Sequence, residues 1–243
     1  MKRTIAGLLT VALVASRAWT GEAEAPASAR HYVFAHYMTC FGLSVAFHKQ
    51  EIRIAQAHGL DGFAMDFGEW CGYDRKTKKL KPSRYVPNMD RMFEAAKQLG
   101  TDFKLLLTPE YSVRPTTPQV IHMVKRYYEH PNAMRYDGKF CLSSYGPGGK
   151  SFDDALTKLK AEGCEIFFIP YSGAGRHEMS MSVANALKIY DEPHVDGRWR
   201  FVCDDSPRVC IRTNANFRRA SLIADKLYMA GIAPYYNSAN VRD

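Results

Sequence analysis

The 243-residue sequence lacks most of the short motifs that identify metal, nucleotide or serine-hydrolase sites. Its six cysteines include no Cys-x-x-Cys pair, and its eight histidines show no His-x-x-x-His or Glu-x-x-His spacing, so we expect no metal site. No Gly-x-Gly-x-x-Gly follows the first apolar run and no Gly-x-Ser-x-Gly is present, which disfavours nucleotide-binding folds and serine hydrolases. With 46% hydrophobic and 24% charged residues, the composition excludes a disordered or fibrous chain.

Positive charge is in excess but is mostly scattered. Lys and Arg number 33 against 25 Asp and Glu, a net charge of +8. The only concentrated basic run is Arg75–Lys81, which carries no aromatic residue that could stack on a base. We therefore predict a solvated loop there and expect no nucleic-acid partner.

The amino-terminal segment has the layout of an export signal. Lys2 and Arg3 precede an apolar run from Ile5 to Ala15, which is too short to span a bilayer, and small residues follow. We predict a signal peptide over residues 1–29 and a secreted or periplasmic domain over residues 30–243 with no stable membrane anchor. An earlier cleavage site near Arg17, or an uncleaved amphipathic start, stays open as an alternative. Export would also permit a disulfide, and Cys40, Cys71, Cys203 and Cys210 are the candidates.

Seven short apolar runs alternate with segments of helical periodicity. The runs begin near residues 32, 62, 103, 140, 166, 200 and 232. Helices are predicted over Val45–His58, Asn88–Leu99, from Pro118 to before His130, over Phe152–Glu162 and over Ala215–Met229. This alternation predicts an α/β fold whose parallel sheet is covered by helices, close to a TIM-barrel-like (β/α)8 architecture, with a doubly wound open sheet as the alternative.

Polar and aromatic residues follow most of these runs, where a parallel barrel places its chemistry. The residues at these strand ends are His36, Tyr37, Asp66, Thr108, Glu110, Tyr111, Ser143, Ser144, Tyr145, Tyr171, Asp204, Asp205, Tyr235 and Tyr236. Aromatic rings stack on sugar faces, and paired carboxyl groups supply the acid and base of glycosidic cleavage. A carbohydrate ligand is therefore indicated, although any one ring could equally serve packing. Asp204 and Asp205 are adjacent on a predicted strand, so at most one of them faces the site.

Several segments in order resemble glycoside hydrolase family 71. They are Phe34–Met38, Ala57–Asp66, Phe103–Leu107, His130-Pro131, Tyr136–Lys139, Leu142–Tyr145 and Lys226–Tyr236. The resemblance implies a barrel that hydrolyses α-1,3-glucan with inversion. Family 99, an endo-mannosidase barrel, shares the His-Pro and Asp-Gly-Lys segments and is a related neighbour.

The sequence departs from the family at three places. Asp66 stands where the family often has Asn, Thr108-Pro109-Glu110 replaces a Ser-Phe-Asp-like segment, and the eighth-strand motif with its Asp and Glu is absent. We therefore expect a barrel truncated after its seventh strand.

The resemblance leads to specific site predictions. The catalytic candidates are Asp66, Glu110 and Asp205; the substrate-binding candidates are His36, Tyr37, Tyr111, Ser144, Tyr171, Asp204, Tyr235 and Tyr236. The predicted function is a secreted glycoside hydrolase resembling endo-α-1,3-glucanase, with a carboxylate pair, a polysaccharide partner and no cofactor. The alternative is a non-catalytic, polysaccharide-binding or structural remnant of such a barrel.

Overall fold

The computed structural model describes residues 31–74, 76–77, 79–110, 113–146, 149–172, 182–200 and 207–231. The strands are β1 (Phe34–Met38), β2 (Gly62–Phe67), β3 (Cys71–Asp74), β4 (Lys79–Pro82), β5 (Lys104–Pro109), β6 (Arg135–Tyr136), β7 (Lys139–Ser144), β8 (Ile166–Pro170), β9 (Gly197–Trp199) and β10 (Leu227–Met229). The helices are α1 (Val45–Ala57), α2 (Tyr85–Leu99), α3 (Thr117–Tyr127), α4 (Lys150–Ala161), α5 (Val183–Tyr190) and α6 (Pro207–Ile223). Within these ranges, no helix is long and apolar enough to cross a bilayer.

Seven of the strands run parallel and follow one another in chain order. Strands β1, β2, β5, β7 and β8 are hydrogen-bonded neighbours, and β9 pairs with β10 in the same parallel sense. A parallel bridge between Tyr171 and Trp199 connects the two groups. A doubly wound sheet reverses its strand order at a switch point, whereas the strands of the described residues keep a single order. The predicted parallel sheet is confirmed, and the doubly wound alternative is wrong.

The sheet has an inner and an outer face, because side chains alternate along each strand. The outer face and the helices share a large core that includes Phe63, Leu105 and Phe140. The inner face holds a second cluster to which all seven strands contribute, including Ala64 and Leu106.

The inner cluster shows that the sheet is strongly curved. The rings of His36 on β1 and Tyr145 just after β7 lie 5.8 Å apart, although β2 and β5 separate those strands. In a flat sheet three strand spacings would place them about 14 Å apart. The sheet therefore curls around its inner face.

Gly62 allows β1, β2 and β5 to approach each other at the start of the sheet. A Cβ atom at this position would lie 2.2 Å from the Lys104 carbonyl oxygen and 2.4 Å from Phe34 Cε1. No side chain fits between those groups, so this position requires glycine.

The carboxyl-terminal third differs from the sequence prediction. In the described part of the chain the sixth and seventh parallel strands are Gly197–Trp199 and Leu227–Met229. The predicted strands that begin near residues 200 and 232 lie, apart from their first residues, outside the described residues. Helix α6 ends at Ile223 instead of continuing to Met229, because Asp225 adopts a left-handed conformation with φ +52°. The apolar periodicity continues past this turn, which is why the sequence pattern predicts a helix that extends to Met229.

The structure also contains elements that the periodicity did not predict. These are the β3–β4 hairpin, the short strand β6 and helix α5. The sequence pattern does not include Gly197–Trp199 in a strand, because Arg198 interrupts the apolar run. In the structure Arg198 is fully buried, and it donates to the Ile189 carbonyl and to Glu192.

Candidate functional site

The structure describes six of the eleven predicted site residues. His36, Tyr37, Asp66, Glu110, Ser144 and Tyr171 can be placed, whereas Tyr111, Asp204, Asp205, Tyr235 and Tyr236 lie outside the described residues. The role of those five residues remains a prediction.

His36 and Asp66 meet on the inner face of the sheet. The register pairs His36 with Ala64, two residues before Asp66 on β2, so the two side chains share the inner face. His36 Nε2 lies 3.3 Å from Asp66 Oδ2. Asp66 is only 8% exposed, so this carboxylate holds the imidazole in an environment that largely excludes water.

Asp66 also has a polar neighbour on the adjacent strand. Thr108 on β5 is paired with Asp66 in the register and is buried. Among the described residues, Asp66 Oδ1 and Thr108 Oγ1 are buried and have no hydrogen-bond partner. Such atoms are rare in folded proteins, and functional sites are one of the places where they occur.

Glu110 supplies a more accessible carboxylate at the same end of the sheet. Its backbone N–H donates to the Phe67 carbonyl at 2.9 Å, and it forms a parallel bridge with Tyr145. Glu110 is half-buried, and its carboxylate has no hydrogen bond or ion pair with any described residue. The sequence prediction that Asp66 and Glu110 lie at the same end of neighbouring strands agrees with this register.

Three rings form an aromatic cluster, Tyr145, Tyr171 and Trp199, next to the polar pair. Tyr145 and Tyr171 stack with centroids 5.4 Å apart and planes 1° apart. Trp199 lies 5.7 Å from Tyr145 and 5.1 Å from Tyr171, tilted to both. Its indole N–H donates to the Ser144 carbonyl at 3.1 Å, and the ring is only 6% exposed. Because the two tyrosines are only half-buried, they are the members that a ligand could reach.

Tyr37 and Ser144 do not face this site. Tyr37 stacks on Phe63 in the outer core and donates its hydroxyl to Glu51 Oε2 at 2.6 Å, and burial raises the pKa of the phenol. Ser144 is fully buried, and its hydroxyl donates to the Gly146 carbonyl at 2.7 Å. Each residue is next in sequence to one that faces inward, so alternation places its side chain on the other face. We therefore correct the prediction and remove both from the site.

Two cluster members were not among the predicted site residues. The sequence pattern puts Tyr145 at a strand end without giving it a site role. It leaves out Trp199 because the predicted sixth strand begins at Arg200, the residue after it. Period-two alternation from Ser143 would have selected Tyr145 over Ser144.

The described residues offer no site for a metal ion. They contain no group of three or more His, Cys, Asp or Glu side chains that could bind one. Cys40, Cys71, Cys141 and Cys164 are free thiols, and burial raises the pKa of Cys141 to about 12. The described side chains of the site are carboxylates, an imidazole and aromatic rings.

Comparison with known proteins assigns this arrangement to a family. The sequence pattern of Glycosyl hydrolase family 71 matches residues 29–241. The chain belongs to glycosyl hydrolase family 71. This family 71 chain is 25% identical over 219 residues to Glucan endo-1,3-alpha-glucosidase agn1 of Schizosaccharomyces pombe. The match covers 84% of the chain but 46% of that relative, so the chain spans about half the relative's length.

Solved structures share the fold of the family 71 chain. The GH99 endo-alpha-mannosidase of Bacteroides thetaiotaomicron superposes with a TM-score of 0.57 at 14% identity, covering 82% of this chain and 56% of that one. The mandelate racemase/muconate lactonizing enzyme of a Roseiflexus species gives a TM-score of 0.50 at 11% identity, covering 83% and 48%. At these identities the likeness concerns the fold alone. The predicted membership of family 71 is confirmed, and the GH99 enzyme shares the fold.

Proposed function

We propose that this family 71 chain provides seven strands of a (β/α)8 barrel and that the protein is a secreted glycoside hydrolase acting on an α-1,3-linked glucan. The observation that carries the proposal is the half-buried Glu110 carboxylate, at the same end of the sheet as the His36–Asp66 pair and the aromatic cluster. The linkage is proposed from the name of the relative, Glucan endo-1,3-alpha-glucosidase agn1. Residues 1–29 support export as a signal peptide.

In this proposal Glu110 and Asp66 have different roles. Hydrolysis with inversion needs one carboxylic acid that protonates the leaving oxygen and one carboxylate that activates water. Glu110 suits one of these roles because its carboxylate is accessible and has no partner among the described residues. Asp66 is buried and contacts His36, so its role in this proposal is to position the imidazole. Asp205 remains the candidate for the second carboxyl group.

The aromatic cluster provides the second part of the proposed site. The half-buried rings of Tyr145 and Tyr171 suit the apolar face of a sugar ring, and Trp199 packs against both of them. His36 lies beside Tyr145, so a sugar on the cluster would have its hydroxyls near the imidazole.

One observation favours a second function, polysaccharide binding without catalysis. Asp66 is only 8% exposed and is already paired with His36, so it is poorly placed to act on a substrate as acid or base. A site with one buried carboxylate and one accessible carboxylate binds sugar hydroxyls even where no acid–base pair is complete.

The two functions are separated by an assay on the 243-residue chain with insoluble α-1,3-glucan. Catalysis predicts release of reducing sugar that falls by about 100-fold or more in Glu110→Gln, the range for loss of a general acid or base. Glu129→Gln, an exposed carboxylate after α3, is the matched control and should retain full activity. Binding to the glucan without turnover in the wild type would support the second function. Absence of both binding and turnover would refute the two proposals together.

Export is tested separately. The amino-terminal residue of the protein recovered from the periplasm or culture medium should be Arg30. Recovery of a full-length, cell-bound protein that begins at Met1 would contradict the signal-peptide proposal.

A further inference from the structure

The β3–β4 hairpin is a basic arm fixed beside the end of β2. Its base is held by Trp70 and Cys71, both buried. The indole N–H of Trp70 donates to His122 Nδ1 at 2.9 Å, and the side-chain amide of Gln119 donates to the Cys71 carbonyl. On the returning strand, the Ser83 hydroxyl donates to the Trp70 carbonyl at 2.8 Å. These contacts attach the hairpin to helix α3, so its position relative to the sheet is defined.

One side of the hairpin presents lysines to solvent. The register pairs Asp74 with Lys79 and Gly72 with Lys81. Lys79 and Lys81 are two residues apart on one strand and therefore share a face, and both are exposed. Leu80 between them packs against the outer core, which fixes that face as the solvent side.

The charge of this face is not neutralised nearby. Lys76 in the turn and Arg84 after β4 are also exposed, and none of these four cations forms an ion pair with a described carboxylate. Asp74 uses its carboxylate to accept from the backbone N–H groups of Lys76 and Thr77, which closes the turn. Between residues 74 and 84 the sequence has six basic residues against one acidic residue. A solvent-facing cluster of this kind attracts polyanions.

The location of the hairpin favours a glycan over other polyanions. The hairpin leaves β2 shortly after Asp66, so it projects at the end of the sheet that carries Glu110 and the aromatic cluster. The Arg75–Lys81 run has no aromatic residue for stacking on bases, unlike proteins that bind single-stranded nucleic acid. Leu80, its only large apolar residue, packs inward and is not available to enter a membrane.

We propose that the face formed by Lys76, Lys79 and Lys81 binds acidic polysaccharide and thereby holds the protein against a glycan matrix next to its site. The ligand class is a chain of repeating carboxylate or sulfate groups. The inference rests on the proposed function only in assuming that a glucan is bound at the neighbouring site. Binding of acidic polysaccharide to the lysine face itself requires no catalysis.

The test measures binding of the purified chain to polygalacturonate at 50 and 200 mM NaCl. We expect saturable binding that weakens with salt, since screening shortens the reach of exposed charges. The double variant Lys79→Gln/Lys81→Gln should bind roughly threefold to thirtyfold more weakly, given the usual strength of exposed ion pairs. The matched control is Lys158→Gln/Lys160→Gln on α4, which removes two exposed charges from the helix turn that leads into the start of β8.

Three outcomes would overturn the proposal. They are no binding to polygalacturonate, an equal loss in the α4 control, and equal or tighter binding of double-stranded DNA to the lysine face. Binding of neutral α-1,3-glucan is measured in parallel and should be the same in both double variants. A protein that binds polygalacturonate through Lys79 and Lys81 but ignores neutral glucan would support this inference while refuting the proposed function.

Discussion

Trp199 connects the β9–β10 pair to the rest of the sheet, and its removal should cost much of the protein's stability. Its backbone carbonyl accepts from Ser172 N at 2.8 Å and Ser172 Oγ at 3.0 Å, while its indole donates to the Ser144 carbonyl. Its ring contacts both Tyr145 and Tyr171. The backbone contacts survive substitution, but the indole contacts do not.

The loss of unfolding free energy has two parts, one from the buried ring and one from the indole hydrogen bond. Trp199→Ala removes a nearly buried ring, which typically costs about 3–5 kcal/mol of unfolding free energy. Trp199→Phe keeps an aromatic ring and loses the indole hydrogen bond, worth about 1 kcal/mol net, because the Ser144 carbonyl still accepts from the Tyr171 N–H. Since domains are typically stable by only about 5–15 kcal/mol, the alanine variant should lose a large fraction of the protein's stability.

Urea denaturation followed by far-ultraviolet circular dichroism measures both values without depending on tryptophan emission. Ile211→Ala on α6 is the control, because Ile211 is 69% exposed and its loss should change stability by less than about 0.5 kcal/mol. A Trp199→Ala variant that loses less than about 1 kcal/mol, well below the cost of truncating a buried ring, would refute the role of Trp199 as the connection between β8 and β9.

Three further outcomes are expected. Gly62→Ala should lower the unfolding free energy by about 3 kcal/mol or more, because the new Cβ would clash with the Lys104 carbonyl. In the same denaturation assay Gly59→Ala should cost about 1–2 kcal/mol, because Gly59 has φ +77° but open space around it. Burial lowers the pKa of three histidines, His48, His122 and His130. The unfolded chain then binds protons more readily than the folded one, so stability should fall from pH 7.5 to 5.5, by at most about 1.4 kcal/mol per pH unit for each histidine; a rise would contradict this. In native protein, mass spectrometry should find Cys40 alkylated well before Cys141, whose burial raises its pKa to about 12; equal rates would contradict the buried placement.

The amino-terminal two thirds of the fold could be predicted because local signals agreed there. Ser44 caps α1 by accepting from Phe47 N, and Gly100 ends α2 with φ +64°, so the apolar periodicity had clear boundaries. The α6–β10 region could not be predicted in the same way. Asp225, rather than a glycine, makes the left-handed turn after α6. On β9, Arg198 can be buried because Glu192 balances its charge and the Ile189 carbonyl accepts a hydrogen bond from its guanidinium.

The candidate site was predictable at the level of strand ends but not of individual faces. Asp66 follows from the pattern because a carboxylate that ends an apolar strand stands out in the sequence. The predicted roles of Tyr37 and Ser144 are wrong because successive side chains of a strand point to opposite faces, and a position at a strand end does not say which of two neighbours faces inward. The pairing of His36 with Asp66, and the stacking of Tyr145 on Tyr171, depend on how far the sheet curls, which periodicity does not report.

Two exposed apolar side chains at β1 have a consequence for handling the protein in solution. Val33, just before β1, is 53% exposed, and Met38 at its end is 58% exposed. Burial of such side chains between two molecules is favourable and promotes association. The net charge of +8 opposes such contact between like molecules, and salt weakens that opposition. Concentrated stocks should therefore stay clear longer in dilute buffer than in molar salt.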